Sequence, residues 1–385
     1  MQLLQMFAEE GYEINFGTTA GKSERSASLE HLSILTTAIK LNDPSFDEFL
    51  YNMNPQVVLF DRFITEEQFG WRVAEACPKA IRILDTEDLH FLRKAREKAI
   101  SEGFTIKEAH VYTETAKREL ASILRCDLSL IISDYEMKLL QEVFNIPEGL
   151  LYYLPILFTS EISENLLPSF SERQNFVTVG NFQHKPNTDG VLWLAREIWP
   201  QIRKKLPTAE IHVYGEYGSQ QISELHNESS GFLIKGWAPD VGEVMKTARV
   251  CLAPLRFGAG LKGKFFDAMI NGTPAVTTSI GAEGIRDHLL FGGLIEDDVS
   301  QIISAAIDLF SEEEKWLMAQ HNGFQILRSR FHSKLFSEPF KEAIRTLSSN
   351  LDEHRMTHFI GQIFQHSTMQ STKYMSKWIE LKNKK

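Results

Sequence analysis

The sequence predicts an α/β protein built of two consecutive domains, each with a parallel β-sheet covered by helices. The chain has 385 residues. This is longer than the chain that a single hydrophobic core usually supports, since single cores stop growing at about 250–300 residues. Short apolar runs alternate with helical patterns, and this alternation is typical of parallel sheets. A turn-rich segment, 156–174, separates two such series and predicts the linker between the domains.

The first series of elements predicts an N-terminal domain over 1–155. Leu3, Leu4 and Phe7 recur at helical spacing, which predicts a helix running into a strand at 12–16. A doubly wound domain normally begins with a buried strand, so this domain is predicted to lack its first strand. Further strands are predicted at 55–63, 80–88 and 126–134.

The second series predicts a C-terminal domain over 175–330. Its strands are expected at 175–182, 209–215, 231–237, 249–255 and 273–279. Helices are predicted over 188–205, 240–248 and 262–270. Two α/β domains joined by one linker leave a cleft, and ligands bind such sheets at the carboxyl ends of their strands.

From about residue 296 onward the pattern is helical, and the C-terminal helices, 331–385, are expected to pack back on the N-terminal domain. Five residues near the end recur at i, i+3, i+4, i+7 and i+8, so this face should pack against protein. They are Met356, Phe359, Ile360, Ile363 and Phe364. The final residues, LKNKK, are basic and leave two alternatives, a solvated end or weak peripheral contact with anionic lipid.

Composition disfavours several classes of protein. The formal net charge of −10 disfavours nucleic acid as a partner, because such binding rests on basic surfaces. The three cysteines are odd in number and lack CxxC spacing, which disfavours disulfide frameworks and zinc sites and favours a reducing cytoplasm. The sequence has no apolar run of membrane-spanning length and no signal-peptide pattern, and nothing in it calls for an obligate protein partner.

Residues 258–263, Gly-Ala-Gly-Leu-Lys-Gly, match the pattern GxGxxG between a predicted strand and a predicted helix. A dinucleotide site also needs an acidic residue at the end of the next strand. Thr277, Thr278 and Ser279 occupy that end, and Glu283 comes later, in a loop. A dinucleotide site is therefore disfavoured.

The glycine loop nevertheless has the physical properties of an anion site. Gly258 and Gly260 let the backbone approach a ligand closely, and the following helix N-terminus favours negative charge. Arg256, Lys262 and Lys264 add cations, which makes a diphosphate a better guest than a carboxylate. The alternative is a glycine-rich corner with solvated lysines.

Three blocks in this half of the chain resemble family 4 glycosyltransferases, also called glycosyl transferases group 1. They are VTVGNFQHKPNTDGVLWL, GWAPDVGEVMKTARVCLAPL and PLRFGAGLKGKFFDAMINGTPAVTTSIGAEGI. The resemblance implies the GT-B fold, in which two Rossmann-like domains face each other, the first for the acceptor and the second for a nucleotide-sugar donor. It further implies a hexosyltransferase-like enzyme that retains anomeric configuration and needs neither metal nor cofactor.

The resemblance also carries roles for individual residues. Asp267 stands at the second Glu of the family's E-x7-E motif and would bind the donor ribose, whereas Ala259 replaces the first Glu. The family's diphosphate-binding Arg and Lys correspond to Asn181 and Asn187, so a cation of the glycine loop would replace them, Lys264 first. The predicted donor-binding residues are Arg256, Gly258, Gly260, Lys262, Lys264, Asp267, Glu283 and Asn181.

The segment LDTEDLHFLR, 84–93, follows a predicted strand and resembles the family's acceptor-side loop. Asp85, Asp88 and His90 are the candidate catalytic residues, because carboxylate and imidazole groups accept protons near neutral pH. The alternative is that Asp85 or Thr86 caps a helix and that His90 lies on its surface. No Asp-x-Asp suits a divalent metal, so no metal site is predicted.

Two other functions remain open at this point. A nucleotide-sugar epimerase of the same fold would share the donor site, and a non-catalytic nucleotide-binding protein would share the fold without turnover. The donor base, the donor sugar and the acceptor, whether glycan, lipid or small molecule, are not specified by the sequence.

Overall fold

The computed structural model describes residues 2–21, 29, 32–159 and 162–383. The chain divides into two compact units. The first contains Met1–Glu87, Glu114–Leu157 and Lys334–Lys385, and the second contains Asp88–Thr113 and Phe158–Ser333. No helix of the described residues combines the length and the apolar character needed to traverse a bilayer.

The strands, in chain order, are β1 (Asn15–Thr18), β2 (Leu35–Ala38), β3 (Val57–Asp61), β4 (Ile81–Asp85), β5 (Leu128–Ile131), β6 (Leu151–Tyr153), β7 (Gln174–Val179), β8 (Ile211–Tyr214), β9 (Phe232–Gly236), β10 (Ala248–Leu252), β11 (Ala275–Thr277) and β12 (Gly293–Ile295). The helices are α1 (Gln2–Glu9), α2 (Ser45–Met53), α3 (Arg62–Ala76), α4 (His90–Ser101), α5 (Glu114–Arg125), α6 (Asp134–Lys138), α7 (Lys185–Trp193), α8 (Trp199–Lys205), α9 (Gln220–Ser223), α10 (Val241–Thr247), α11 (Gly263–Ile270), α12 (Ser279–Ala282), α13 (Val299–Ser311), α14 (Glu313–Ile326), α15 (Ser337–Ser349), α16 (Leu351–Thr357) and α17 (Phe359–Asn383).

The first unit has a four-stranded parallel sheet in the order β3-β4-β5-β6, and β1 and β2 form a separate parallel pair. The predicted strands at 55–63, 80–88 and 126–134 are confirmed as β3, β4 and β5. The predicted opening is also confirmed, because α1 precedes β1, although that strand begins later than expected. The two short strands β2 and β6 were not predicted.

The core of the first unit joins both ends of the chain. Phe340 and Ile344 of α15 pack with Ile83 of β4 and Leu130 of β5, and Met6 of α1 belongs to the same buried cluster. The C-terminal helices therefore complete a core that the first strands begin.

The prediction that an apolar face of the last helix packs against protein is wrong. Phe359, Ile360 and Ile363 of α17 are 63%, 62% and 50% exposed. The face turned toward the rest of the unit is polar, because the buried side chain of Arg72 hydrogen-bonds to Ser376 and Glu380 of α17.

The second unit has a six-stranded, fully parallel sheet in the order β12-β11-β10-β7-β8-β9. The five predicted strands are confirmed as β7 to β11, and the three-residue β12 was not predicted. The helix predicted at 188–205 begins earlier, at Lys185, because Pro186 in the first turn suits a helix start. It then passes through a π-helical turn, Leu194–Ile198, into α8.

Candidate functional site

The predicted donor residues lie around the point where the strand order of the second unit reverses. Strands β7 and β10 are neighbours, but β8 and β9 continue to one side and β11 and β12 to the other. Crevices at such a switch point, beyond the carboxyl ends of the strands, are the usual ligand sites of α/β sheets. Two segments meet there, 180–187 after β7 and 253–263 after β10.

The glycine loop, 253–263, ends at the first residue of α11. Gly260 has φ +62°, a left-handed conformation that glycine adopts without steric cost. Lys262 precedes the helix without a side-chain cap, and its Nζ donates to the carbonyl of Gly260 at 2.9 Å. The first amides of α11 therefore have no side-chain cap, as an anion site at a helix start requires.

Lys264 links the two segments across the switch point. Its Nζ donates to Asn187 Oδ1 at 2.9 Å, and Asn187 Nδ2 donates to the carbonyl of Asn181 at 2.9 Å. The Asn181 side chain accepts from the backbone N–H of Gln183 at 2.8 Å. Asn181 thus shapes its own loop, and Asn187 positions the lysine.

Two ionisable side chains of α11 have shifted pKa values. Burial lowers the pKa of Lys264 to about 8, so its ammonium form still dominates at neutral pH. Burial raises the pKa of Asp267 to about 6. Among the described residues its carboxylate has no hydrogen-bond or ion-pair partner. The two residues are three positions apart on one helix, which places them on the same side.

The side chain of Arg256 pairs with residues of α7. Its Nε donates to Asp189 Oδ2 at 2.8 Å, and its guanidinium lies 5.8 Å from the centre of the Trp193 ring. Both partners belong to α7. The cations at the start of α11 are therefore Lys262 and Lys264.

Glu283 acts on the glycine loop through Arg96. Its two carboxylate oxygens accept from Arg96 at 2.7 and 2.8 Å, and Arg96 also donates to the carbonyl of Gly258 at 2.8 Å. The Arg96 side chain, from α4, is 4% exposed. Sequence reasoning missed Arg96, because it lies 162 residues before the glycine it contacts and belongs to no motif.

Two threonine hydroxyls at the end of β11 hydrogen-bond to the backbone of the glycine loop. Thr277 Oγ1 donates to the carbonyl of Ala253 at 2.8 Å, and Thr278 Oγ1 donates to the carbonyl of Leu255 at 2.5 Å. The place where a dinucleotide site needs a carboxylate thus holds groups that fix the glycine loop.

Asp88 and His90 lie together in the second unit. Asp88 forms an ion pair with Arg93, and its Oδ1 lies 3.4 Å from His90 Nε2. The alternative that Asp85 or Thr86 caps this helix is wrong, because Leu89 precedes α4 without a side-chain cap. The Thr86 hydroxyl instead donates to the carbonyl of Leu130 at 2.8 Å.

His184 is a further titratable residue that sequence reasoning missed. It immediately precedes α7. Partial desolvation, Arg93 and the charges of Lys264 and Lys262 lower its pKa, and Asp88 opposes them. These interactions place His184 near both the 88–93 segment and the start of α11. It carried no signal in the sequence beyond its position after a strand.

Asp85 belongs to the first unit, at the end of β4. Burial, with the nearby charges of Glu87 and Asp61, raises its pKa to about 6. Asp61 lies beside it as its partner in the β3–β4 ladder. The three carboxylates border a cavity of about 350 Å³ that is otherwise lined mostly by apolar residues of α1, β1, α2 and β3.

The family model for glycosyl transferases group 1 matches residues 173–312, the region that contains the donor-side residues. The predicted resemblance to glycosyl transferases group 1 is therefore confirmed over these residues, whereas membership of family 4 stays a prediction. The match supports the predicted class of enzyme, a glycosyltransferase.

Solved structures of glycosyltransferases share the fold. Anabaena HepE, in complex with UDP and glucose, is 13% identical, with a TM-score of 0.67 over 90% of this chain and 96% of that one. WaaG, a glycosyltransferase involved in lipopolysaccharide biosynthesis, is 14% identical, with a TM-score of 0.59 over 89% and 93%. The pneumococcal O-GlcNAc transferase GtfA, in complex with UDP and GlcNAc, is 18% identical, with a TM-score of 0.58 over 78% and 59%. The predicted GT-B fold is confirmed.

A curated relative is the uncharacterized 44.6 kDa protein in the cps region of Klebsiella pneumoniae. It is 24% identical over 176 residues, which are 44% of this chain and 45% of the relative. The chain thus spans about half the length of this relative.

In the described ranges, no group of three or more His, Cys, Asp or Glu side chains is arranged to hold a metal ion. Metal independence stays a prediction.

Proposed function

We propose that the protein transfers a glycosyl group from a nucleotide-diphosphate sugar to a hydroxyl group of an acceptor. The bond between the anomeric carbon and the donor phosphate breaks, and a bond to the acceptor oxygen forms. The hydroxyl proton passes to a base, and the nucleoside diphosphate leaves with the bonding electrons. The observation that carries this proposal is the cationic site at the switch point, where Lys264 joins the β7 and β10 segments.

The charges at this site match the leaving group. Negative charge accumulates on the departing diphosphate in the transition state, and fixed donors aimed at it accelerate the reaction. Lys264, Lys262 and the start of α11 supply those donors. Asp267, whose carboxylate meets no partner among the described residues, would accept hydrogen bonds from the ribose hydroxyls.

The acceptor needs a base, for which Asp85, Asp88 and His90 are the candidates. Asp85, with a pKa of about 6, is ionised at neutral pH yet basic enough to take up a proton.

The proposed reaction uses no cofactor or metal, and retention of the anomeric configuration follows from the resemblance. The acceptor is a glycan, a lipid or a small molecule. The proposed compartment is the cytoplasm, since the three buried thiols suit a reducing environment.

The first test is a thermal-shift comparison of UDP, GDP and ADP. UDP comes first because HepE and GtfA were solved with it. A ligand at a hundred times its Kd stabilises the folded state by about 2.7 kcal/mol, so one of the three should raise Tm by several degrees. The absence of a shift with every nucleoside diphosphate would contradict the proposal.

The second test follows sugar release from the corresponding nucleotide sugars with a panel of acceptors. The proposal expects release of nucleoside diphosphate that requires an acceptor. Tight binding without release would instead identify a non-catalytic nucleotide-binding protein. Interconversion of sugars without any acceptor would identify an epimerase.

A further inference from the structure

The C-terminal helix α17 is amphipathic, but its orientation is the reverse of that of a helix that packs its apolar face on a core. Its polar face is turned toward the first unit. Gln365 hydrogen-bonds to Arg82, Ser376 accepts from Arg72 at 3.1 Å, and Glu380 forms an ion pair with Arg72. These contacts fix which side of the helix faces the protein.

Gly361 confirms this orientation at the other end of the helix. A Cβ atom at Gly361 would lie 2.1 Å from the carbonyl oxygen of Leu124. The helix backbone therefore approaches the protein so closely here that only glycine fits at this position. The side opposite Gly361, Gln365 and Ser376 is therefore the outward face.

Apolar and aromatic side chains occupy the outward face. Ile360, Ile363, Tyr374, Trp378 and Leu381 are 62%, 50%, 65%, 53% and 65% exposed. Counted from Ile360, the others follow at about 3, 14, 18 and 21 residues, close to whole numbers of 3.6-residue turns. They form one stripe, which we call the outer stripe.

The charges along α17 are basic on a chain whose net charge is −10. Glu380, the one acidic residue of the helix sequence, is turned inward onto Arg72. Lys377 and Lys382 are exposed beside the outer stripe, and Lys382 lies 4.1 Å from the centre of the Trp378 ring. Aromatic rings bordered by lysines are typical of helices that lie in a membrane interface.

We propose that the outer stripe of α17 binds the surface of an anionic lipid bilayer. The helix, of 25 residues, would lie parallel to the membrane with its apolar side chains among the acyl chains and its lysines at the phosphates. This proposal is independent of the sugar-transfer reaction, so either can fail without the other.

The middle of the helix favours lipid over a second copy of this chain. The outward face carries Ser367 and Ser371 between its two apolar groups. A helix pair needs an uninterrupted apolar seam, whereas the headgroup region solvates such polar side chains.

The test is cosedimentation of the full chain with phosphatidylcholine vesicles that contain or lack phosphatidylglycerol. Binding is expected to the anionic vesicles, with a loss at high salt because exposed charges are screened. The affinity of the variant Ile363→Gln/Trp378→Gln for these vesicles should fall by about tenfold or more, since two large apolar side chains are removed. Lys377→Glu/Lys382→Glu should abolish the preference for phosphatidylglycerol.

The matched control is Leu317→Gln/Met318→Gln, which alters two residues of the second unit that are 48% and 65% exposed. It should bind vesicles like the parent chain. Unchanged thermal unfolding of all variants would show that they fold. The proposal is overturned if the parent chain does not bind anionic vesicles, or if Ile363→Gln/Trp378→Gln binds like the control. A change of oligomeric state in that variant, with unchanged vesicle binding, would make the stripe a subunit interface.

Discussion

Lys264 must keep its proton to bind phosphate, although burial has lowered its pKa to about 8. We expect Lys264→Met to weaken binding of the preferred nucleoside diphosphate by about 1.5–3 kcal/mol, the range for a hydrogen bond to a charged group. Isothermal titration calorimetry measures this loss. Lys205→Met, at the exposed end of α8, is the control and should bind like the parent chain.

The same lysine predicts a pH dependence. Its protonated form binds the anion, so the contribution of Lys264 to affinity should be complete at lower pH and should be lost as the pH rises through about 8. Lys264→Met should lack this fall. An equal loss of affinity in parent and variant between about pH 7.5 and about pH 9 would remove Lys264 from the phosphate site.

Sequence patterns predicted the residues whose roles depend on local chain geometry. The glycine loop and Lys264 lie within a few residues of each other, so a motif shows them together. Arg96 and His184 depend on contacts with distant segments, which a single sequence does not record. Glu283 was predicted as a ligand-binding residue, but its carboxylate is bound to Arg96.

At the scale of elements, α4 supports the glycine loop through one side chain. Arg96→Met removes the Nη1 donor to the Gly258 carbonyl and leaves the Glu283 carboxylate, 13% exposed, without its ion-pair partner. Loss of one partner of such a pair costs about 3–5 kcal/mol. We expect lower stability, faster hydrogen exchange in 255–263 and weaker nucleotide binding.

A double-mutant cycle tests whether Arg96 acts through Glu283. In Arg96→Met/Glu283→Gln the uncompensated charge is gone, so stability should recover in part. Nucleotide affinity should stay low, because Gly258 still lacks its donor. Full affinity in Arg96→Met would show that the loop holds its shape without α4.

Strand length explains part of what the sequence could predict. The three-residue strands β6 and β12 were missed, whereas β11, equally short, was predicted because it lies within a longer strand-like run, 273–279. For α17 the pattern showed an apolar face and not its direction. Buried Arg72 and Arg82 draw polar residues inward, and this reverses the usual orientation.

At the scale of the whole molecule, the chain returns to its first unit after completing the second. Asp127, which is 2% exposed, links the C-terminal helices to the sheet of the first unit. Its carboxylate accepts from the N–H of Arg82 and from Arg355 of α16, all at 2.8 Å. The end of the chain is thereby tied to the strands that precede the second unit.

Asp127→Asn should therefore lower the free energy of unfolding by about 3–5 kcal/mol at neutral pH, the cost of breaking a buried pair. Burial alone would raise the pKa of Asp127, but hydrogen bonds from Arg355 and the charge of Arg82 outweigh it and hold the pKa below its usual range. The stabilisation is thus complete above the unfolded pKa of about 3.9 and is lost as the pH falls through the folded value.

Urea unfolding at neutral and acidic pH measures both effects, and the difference between parent and variant should shrink in acid. Asp308→Asn breaks an exposed ion pair with Lys315 and should cost at most about 1 kcal/mol. Nucleotide affinity should survive in Asp127→Asn, because the donor residues belong to the second unit. A pH-independent loss equal to that of Asp308→Asn would show that the C-terminal helices are held by their apolar packing alone.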